Sequence, residues 1–284
     1  MSDLPGLVLV HGAWHSSETW CDVKPLLEAK GFDVTAVDLP GAGLNARAPV
    51  AYHNRPLDAA AFGTEPSPNA GVGQQERTDA VVAAVRASAE RTGNKVVLVG
   101  HSLGGITISP VAEAVPELLH SVVYLTAFLL APGVPAIAMI QDPTMAEALV
   151  PALFMADPQN VGALRVDTGS DDAEYLAKVK AAFYGDLSDA QFKSARTGLH
   201  PDEPVQVAVV PSPISAEHFG SIPRHYIRCA NDQAITLAGQ DKMIADTDAA
   251  LGSKTAVHTM QTSHSPFFSQ PENLAELING IADS

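Results

Sequence analysis

Val96-Val97-Leu98-Val99-Gly100-His101-Ser102-Leu103-Gly104-Gly105 is the stretch whose reading decides the fold. It begins with four consecutive aliphatic residues, three of them β-branched, which read as a strand buried on both faces. Glycines stand two positions before and two after Ser102. A sharp strand-to-helix turn that holds a serine hydroxyl outward needs small residues there, because side chains would collide with the turn. The five-residue pattern alone is a weak signal, its plain reading being a glycine-rich turn. The strand before it and the helical spacing of Leu103 to Ala114 after it supply the context that makes Ser102 a candidate nucleophile.

Upstream, Leu7 to Val10 is a short apolar run closed by His11-Gly12 and reads as another buried strand. Glu18 to Lys30 carries Trp20, Val23, Leu26 and Leu27 at helical spacing and stops at Gly31. Phe32 to Val37 reads as a second buried strand, ended by Asp38-Leu39-Pro40-Gly41. Ala42 to Gly73 is rich in Pro, Gly and Asn without periodicity, a long irregular excursion. Helical spacing resumes from Gln74 to Arg91, and Val122 to Leu125 is the next strand. Strands alternating with helices predict an α/β fold, a mostly parallel sheet covered by helices on both faces.

Beyond Leu130 the pattern changes. Short helical pieces, Met145 to Phe154, Ala173 to Tyr184 and Asp189 to Ala195, are separated by Pro- and Asp-rich joints. Strand–helix alternation returns with His225 to Arg228, Ala238 to Ala250, Lys254 to Met260 and Pro271 to Ile281. The expected organisation is a core of residues 1–129 and 223–284 interrupted by a helical cap, residues 130–222.

The 284 residues are 46% hydrophobic and carry a formal charge of −15. That balance argues against a nucleic-acid partner, since phosphate binding needs clustered Lys and Arg, and against attraction to anionic membranes. No run approaches the ~20 apolar residues of a membrane span. Met1 to Pro5 shows no signal-peptide pattern, and Cys21 and Cys229 have neither redox nor metal spacing, so a cytoplasmic setting is expected. The residues set no oligomeric state, a homodimer included.

A serine hydroxyl needs a base within hydrogen-bond reach. In the sheet architecture that carries such a turn, the chain order is serine, acid, histidine. His264, in Gln261-Thr262-Ser263-His264-Ser265-Pro266, follows the last strand and is the candidate base; His258, inside that strand, reads as a core or surface histidine. Asp232 follows the penultimate strand and is the candidate acid, although alone it would read as an ordinary Asn-Asp turn. Asp241 and Asp246 fall on the next helix and read as solvated. Donors for an oxyanion are expected from the backbone N–H groups of Leu103, just after the serine, and Ala13, in the loop after the first strand. His11 and His15 are four apart but flank glycine in a loop, unlike a zinc-protease helix, and no phosphate-binding glycine motif occurs. No metal or organic cofactor is expected.

Leu7 to His15, Trp20, Pro25 to Glu28, Gly31, Val37 to Gly41, Asp232 to Gln240 and Ser263 to Pro266 resemble the methylesterase and hydroxynitrile lyase branch of the α/β-hydrolases. Val122 to Phe128, Ala131-Pro132-Gly133 and Ser263 to Glu272 are similar to bacterial carboxylesterases that act on pyrethroid-type esters. The resemblance covers most of the core and is weak over the cap and the 42–73 excursion. It implies the α/β-hydrolase fold and the same set, Ser102, Asp232 and His264, with Ala13 and Leu103 as the oxyanion hole. Hydroxynitrile lyases of that branch carry threonine where this chain has Gly12, and lysine where it has Ser265. A lyase needs the lysine charge to stabilise cyanide, so the resemblance implies a serine carboxylesterase, and the apolar pocket-wall candidates suit a hydrophobic or aromatic ester. Plant methylesterases are shorter across 42–73, so their substrates do not transfer directly. Trp14, Phe128, Met139, Met145 and Phe154 are pocket-wall candidates that read equally well as cap core. The rival readings are a lyase or cofactor-independent oxygenase on the same triad, and a small-molecule receptor without catalysis.

Overall fold

In a computed structural model, which describes residues 4–284, the strands sort their side chains by parity. Residues 1–3, part of the N-terminal stretch considered above, lie outside the described residues. Six strands form one parallel sheet: β1 (Gly6–Val10), β2 (Val34–Val37), β3 (Val96–His101), β4 (Leu119–Leu125), β7 (Arg224–Cys229) and β8 (Ala256–Met260). Their order across the sheet is β2-β1-β3-β4-β7-β8. Two further strands, β5 (Ala163–Arg165) and β6 (Asp202–Pro204), pair antiparallel in a separate ribbon.

Successive residues of a strand point to opposite faces. Leu7, Leu9, Val97, Val99, Val123 and Leu125 therefore pack against Val23 and Leu27 of helix Val23–Ala29 and against Leu274 and Ile278 of helix Pro271–Ala282. Val8, Val10, Leu98, Val122 and Tyr124 face the other way, onto helices Gln74–Thr92, Gly105–Ala114 and Leu237–Leu251. Burial of both faces is why these strands read as nearly continuous apolar runs.

Several expected elements differ in detail. The Glu18–Lys30 segment is a 3-10 turn at Ser17–Trp20 followed by a helix that starts only at Val23. Pro25 explains the break, since its ring would clash with the carbonyl of Cys21 four residues earlier. Strand β2 begins at Val34, and its later residues are only half-buried because it lies at the sheet edge. The 42–73 excursion contains 3-10 turns at Gly43–Asn45 and Val50–His53 and a short helix, Ala59–Thr64. The Asp58 carboxylate caps that helix by accepting from the N–H groups of Ala60 and Ala61.

Everything between β4 and β7 lies outside the six-stranded sheet. Helices Ala173–Phe183 and Asp189–Ala195 form close to their expected limits, the second closed by a Ser188–Gln191 capping box. The Met145–Phe154 helix does not form. Two 3-10 turns, Pro143–Met145 and Val150–Leu153, take its place, each with proline at its start. The β5–β6 ribbon has no sequence signature, because three-residue strands are too short to show a period. A buried ion pair holds it: the Arg165 guanidinium meets the Asp202 carboxylate through two hydrogen bonds of 2.7 Å. The same guanidinium donates to the carbonyls of Phe62 and Glu65, tying the excursion to the ribbon.

Candidate active site

The chain lays β2 on one side of β1 and then crosses to place β3 on the other. Loops leaving the carboxyl ends of β1 and β3 therefore diverge and leave a crevice between them. His11 to Trp14 leaves β1 there and Ser102 leaves β3, while Asp232 and His264 follow β7 and β8 at the same end of the parallel sheet.

Only three non-glycine residues among those described have positive φ: Trp14 at 59°, Ser102 at 52° and Thr126 at 37°. All three lie beyond the carboxyl ends of sheet strands, Trp14 after β1, Ser102 after β3 and Thr126 after β4. Such conformations cost on the order of ~1–3 kcal/mol each and persist only where surrounding contacts hold them. At Ser102 the tight turn is permitted by its neighbours. A Cβ on Gly104 would stand 2.5 Å from the His11 carbonyl oxygen, and one on Gly100 2.8 Å from Ile108 Cδ1. Gly12 is equally constrained, since a Cβ there would stand 2.6 Å from Ser102 Cβ.

Asp232 and His264 meet. His264 Nδ1 and Asp232 Oδ2 are 2.6 Å apart, and both residues are buried. The remaining capacity of the carboxylate is filled. Oδ1 accepts from the N–H groups of Ala234 at 2.6 Å and Ile235 at 2.9 Å, and Oδ2 also accepts from Thr126 Oγ1 at 2.5 Å. A carboxylate so loaded is fixed in orientation. His264 is held from behind: its carbonyl oxygen lies 2.9 Å from His101 Nε2, and the two imidazoles are 4.6 Å apart. His101 directly precedes Ser102, so the candidate base His264 lies beside the turn that carries Ser102. The Ser102 hydroxyl itself carries no hydrogen bond among the described residues.

Ala13, Ser102 and Leu103 line one small cavity of about 50 Å³. Leu103 lies in the first turn of the helix that follows Ser102, where backbone N–H groups have no intrahelical acceptor. Of the five wall candidates, Trp14, Phe128, Met145 and Phe154 line this cavity. Met139 does not; it is buried in the cluster behind it. Phe183, Ile235, Leu164 and Ile140 complete a wall with no charged side chain. A larger cleft, about 510 Å³, lies between the Ser17–Trp20 turn and helix Asp189–Ala195 and is lined by none of Ser102, Asp232 and His264.

His11 and His15, which flank the loop after β1, have structural partners. His11 Nδ1 lies 2.8 Å from the Gly12 carbonyl while its Nε2 accepts from the Leu39 N–H. His15 Nδ1 lies 2.7 Å from the Ala13 carbonyl, and its Nε2 faces the Tyr184 hydroxyl at 3.0 Å. Both rings are therefore neutral with the proton on Nδ1. Burial agrees with this, lowering His11 to about 4 and His15 to about 3. Together they brace the carbonyls of Gly12 and Ala13. His258 stands away from the crevice, half-buried and 3.2 Å from His225. Asp241 and Asp246 form exposed pairs with Arg228 and Lys242.

Thr126, and Asp186 with its hydrogen bonds to the Ser263 N–H and hydroxyl, were not legible as site residues. Thr126 is a polar residue after the apolar run Val122 to Leu125, which does not mark it apart from an ordinary strand end.

A family model described as the alpha/beta hydrolase family matches residues 7–277. The chain belongs to the α/β-hydrolase family. A pyrethroid hydrolase from Sphingobium wenxiniae is 30% identical over 98% of this chain and 88% of its own length. Methylesterase 2 of Arabidopsis thaliana is 27% identical over 98% of this chain and 95% of its own. Among solved structures, a pyrethroid hydrolase from Sphingobium faniae JZ-2 superposes with a TM-score of 0.77 at 26% identity, covering 99% of this chain and 98% of that one. With these relatives, this α/β-hydrolase is an enzyme of the carboxylic-ester hydrolase class.

Proposed function

We propose that this α/β-hydrolase is a serine carboxylesterase that cleaves an uncharged hydrophobic or aromatic ester through an acyl-enzyme. The observation that carries the reading is the 2.6 Å contact of His264 Nδ1 with Asp232 Oδ2, set behind a strained serine at an apolar cavity. Ser102 Oγ attacks the ester carbonyl while His264 Nε2 takes its proton. Asp232 keeps the Nδ1–H tautomer in place and stabilises the imidazolium as it forms. The N–H groups of Ala13 and Leu103 hold the developing oxyanion in a site with little water. His264 then returns the proton to the leaving alcohol, and water deacylates Ser102 with His264 again as base. The steps call on no metal or organic cofactor.

Residues 130–222 act as the cap that supplies much of the pocket wall, including Phe154, Leu164 and Phe183. A wall without charged side chains disfavours substrates bearing a free carboxylate, whose desolvation would go uncompensated. Relatives named for pyrethroid hydrolysis and methyl-ester cleavage support the choice of bond. Both cysteines are free, which supports a reducing compartment such as the cytoplasm. No helix among the described residues is long and apolar enough to cross a membrane.

The test is hydrolysis of p-nitrophenyl butyrate with organophosphonate labelling. Turnover and labelling are expected in the native chain, and both vanish in Ser102→Ala. A native chain that neither cleaves esters nor takes the label overturns the reading; cyanide release from a cyanohydrin would replace it with a lyase.

A further inference from the structure

We propose that Glu203, held by Arg77, is a positioning residue that sets the oxyanion-binding loop through the backbone of Trp14. The proposal rests on the reading of Ala13 as an oxyanion donor. Trp14 follows Ala13 directly and adopts a left-handed backbone at φ 59°, which a bulky residue keeps only when its surroundings impose it.

Those surroundings come from one segment. The Trp14 N–H donates to Glu203 Oε2 at 3.4 Å, its carbonyl accepts from the His200 N–H at 2.7 Å, and its indole Nε1–H donates to the Leu164 carbonyl at 2.8 Å. Leu164 and Glu203 are register partners across β5 and β6, so one rung of the ribbon grips both N–H groups of Trp14. The peptide joining Ala13 to Trp14 is thus held at both ends, by His15 Nδ1 at its carbonyl and by Glu203 at its N–H. The Ala13 N–H lies on the adjoining Gly12–Ala13 peptide, whose carbonyl is 2.8 Å from His11 Nδ1, so with both planes held the backbone at the Ala13 Cα between them has little freedom to turn.

Glu203 uses its two oxygens differently. Oε1 pairs with the Arg77 guanidinium, while Oε2 takes the Trp14 N–H. Both side chains are buried, Glu203 at 1% exposure and Arg77 at 2%. Arg77 also donates from Nε to the Pro40 carbonyl at 3.0 Å, tying the pair to the turn after β2. A buried ion pair contributes little net stability against a well-packed apolar pair. Its use here is orientation: the guanidinium fixes the carboxylate, and the carboxylate makes a charge-assisted acceptor for one backbone N–H.

The test compares two charge-free double variants. Arg77→Leu with Glu203→Leu removes the acceptor and leaves no unpaired charge, whereas Arg77→Leu with Glu203→Gln keeps a carbonyl acceptor for Trp14. Each is assayed for p-nitrophenyl butyrate hydrolysis, with active sites counted by phosphonate labelling, and for inhibition by a trifluoromethyl ketone that forms an oxyanion adduct. The leucine double variant is expected to lose about 30-fold in kcat with KM within about twofold, and to bind the ketone more weakly by the same factor. The glutamine double variant is expected to recover most of both. Equal kcat in the two, or a loss confined to KM, overturns the proposal. Glu203→Asp keeps the ion pair but withdraws the carboxylate by one methylene, so it serves if the double variants do not fold; unchanged kcat in it overturns the proposal too. Ser102→Ala runs alongside. Turnover persisting in that variant would fault the assignment of the nucleophile and not the role of Glu203.

Discussion

The Thr126 hydroxyl donates to Asp232 Oδ2 at 2.5 Å, the same oxygen that faces His264 Nδ1. Thr126 directly follows β4 with φ at 37°, and Asp232 follows β7. The two meet because β4 and β7 are hydrogen-bonded neighbours. The threonine thus shares the carboxylate oxygen on which the tautomer and angle of His264 depend.

Thr126→Val keeps the shape and the β-branch but removes the donor. Hydrogen bonds to charged groups contribute about 1.5–3 kcal/mol, so kcat is expected to fall about 10- to 100-fold while Thr126→Ser stays near native. Asp232→Asn is expected to cost about 10⁴-fold, as loss of the acid does in serine proteases. Steady-state kinetics on a p-nitrophenyl ester, with active-site titration, measure all three. Native kcat in Thr126→Val would show that the hydroxyl is dispensable.

Gly12→Ala places a methyl group 2.6 Å from Ser102 Cβ and 3.0 Å from His101 Nδ1. Either the serine or the loop that carries Ala13 must move, and a displacement near 1 Å costs about 100-fold in rate. Activity should therefore drop far more than stability. Melting temperature and kcat measured on the same preparation separate the two, and an alanine variant with native kcat contradicts the packing described.

Arg165 is fully buried with Asp202 and stacks over the Phe62 ring at 4.9 Å. Arg165→Met leaves a buried carboxylate without its partner, a loss of about 3–5 kcal/mol. Adding Asp202→Leu removes the stranded charge and should restore most of that stability. Urea denaturation of the single and double variants tests this, and equal stability of the two would refute it.

Acid should destabilise this protein well above the carboxylate range. Burial lowers His11 to about 4 and His15 to about 3, against about 6.5 in an unfolded chain. Between those values the unfolded state binds protons that the folded state refuses. The stability these neutral rings provide is therefore complete above pH ~6.5 and falls as pH drops toward ~4, by up to about 1.4 kcal/mol per pH unit for each ring. Urea midpoints at pH 7.5, 6 and 5 should decline in step, with a shallower decline in His15→Gln. A midpoint constant across that range would rule the account out.

Ser102 was legible because its turn imposes a local rule on residues 100 and 104, and any rule confined to five residues can be read from a string. Asp232 and His264 were legible by order, since a parallel sheet brings the ends of its strands to one side. Thr126 follows the same topology, yet nothing in Leu125-Thr126-Ala127 distinguishes a buried donor from an ordinary strand end. Arg165, Asp202 and Glu203 were opaque for another reason. Charged residues read as solvated until the partner that neutralises them is known, and Arg165 and Asp202 stand 37 positions apart. The two-stranded ribbon that brings them together has no period long enough to detect.

That ribbon bears on how the enzyme could be re-engineered. By sequence, Trp14 belongs to the loop after β1; by hydrogen bonding, its backbone and indole belong to residues 164–203. Grafting a relative's 163–204 segment to change which ester is accepted would also exchange the acceptors that hold Trp14. On the proposed roles, selectivity and turnover would be exchanged together through this segment, and a chimaera meant to alter one without the other would need Leu164, His200 and Glu203 carried across unchanged.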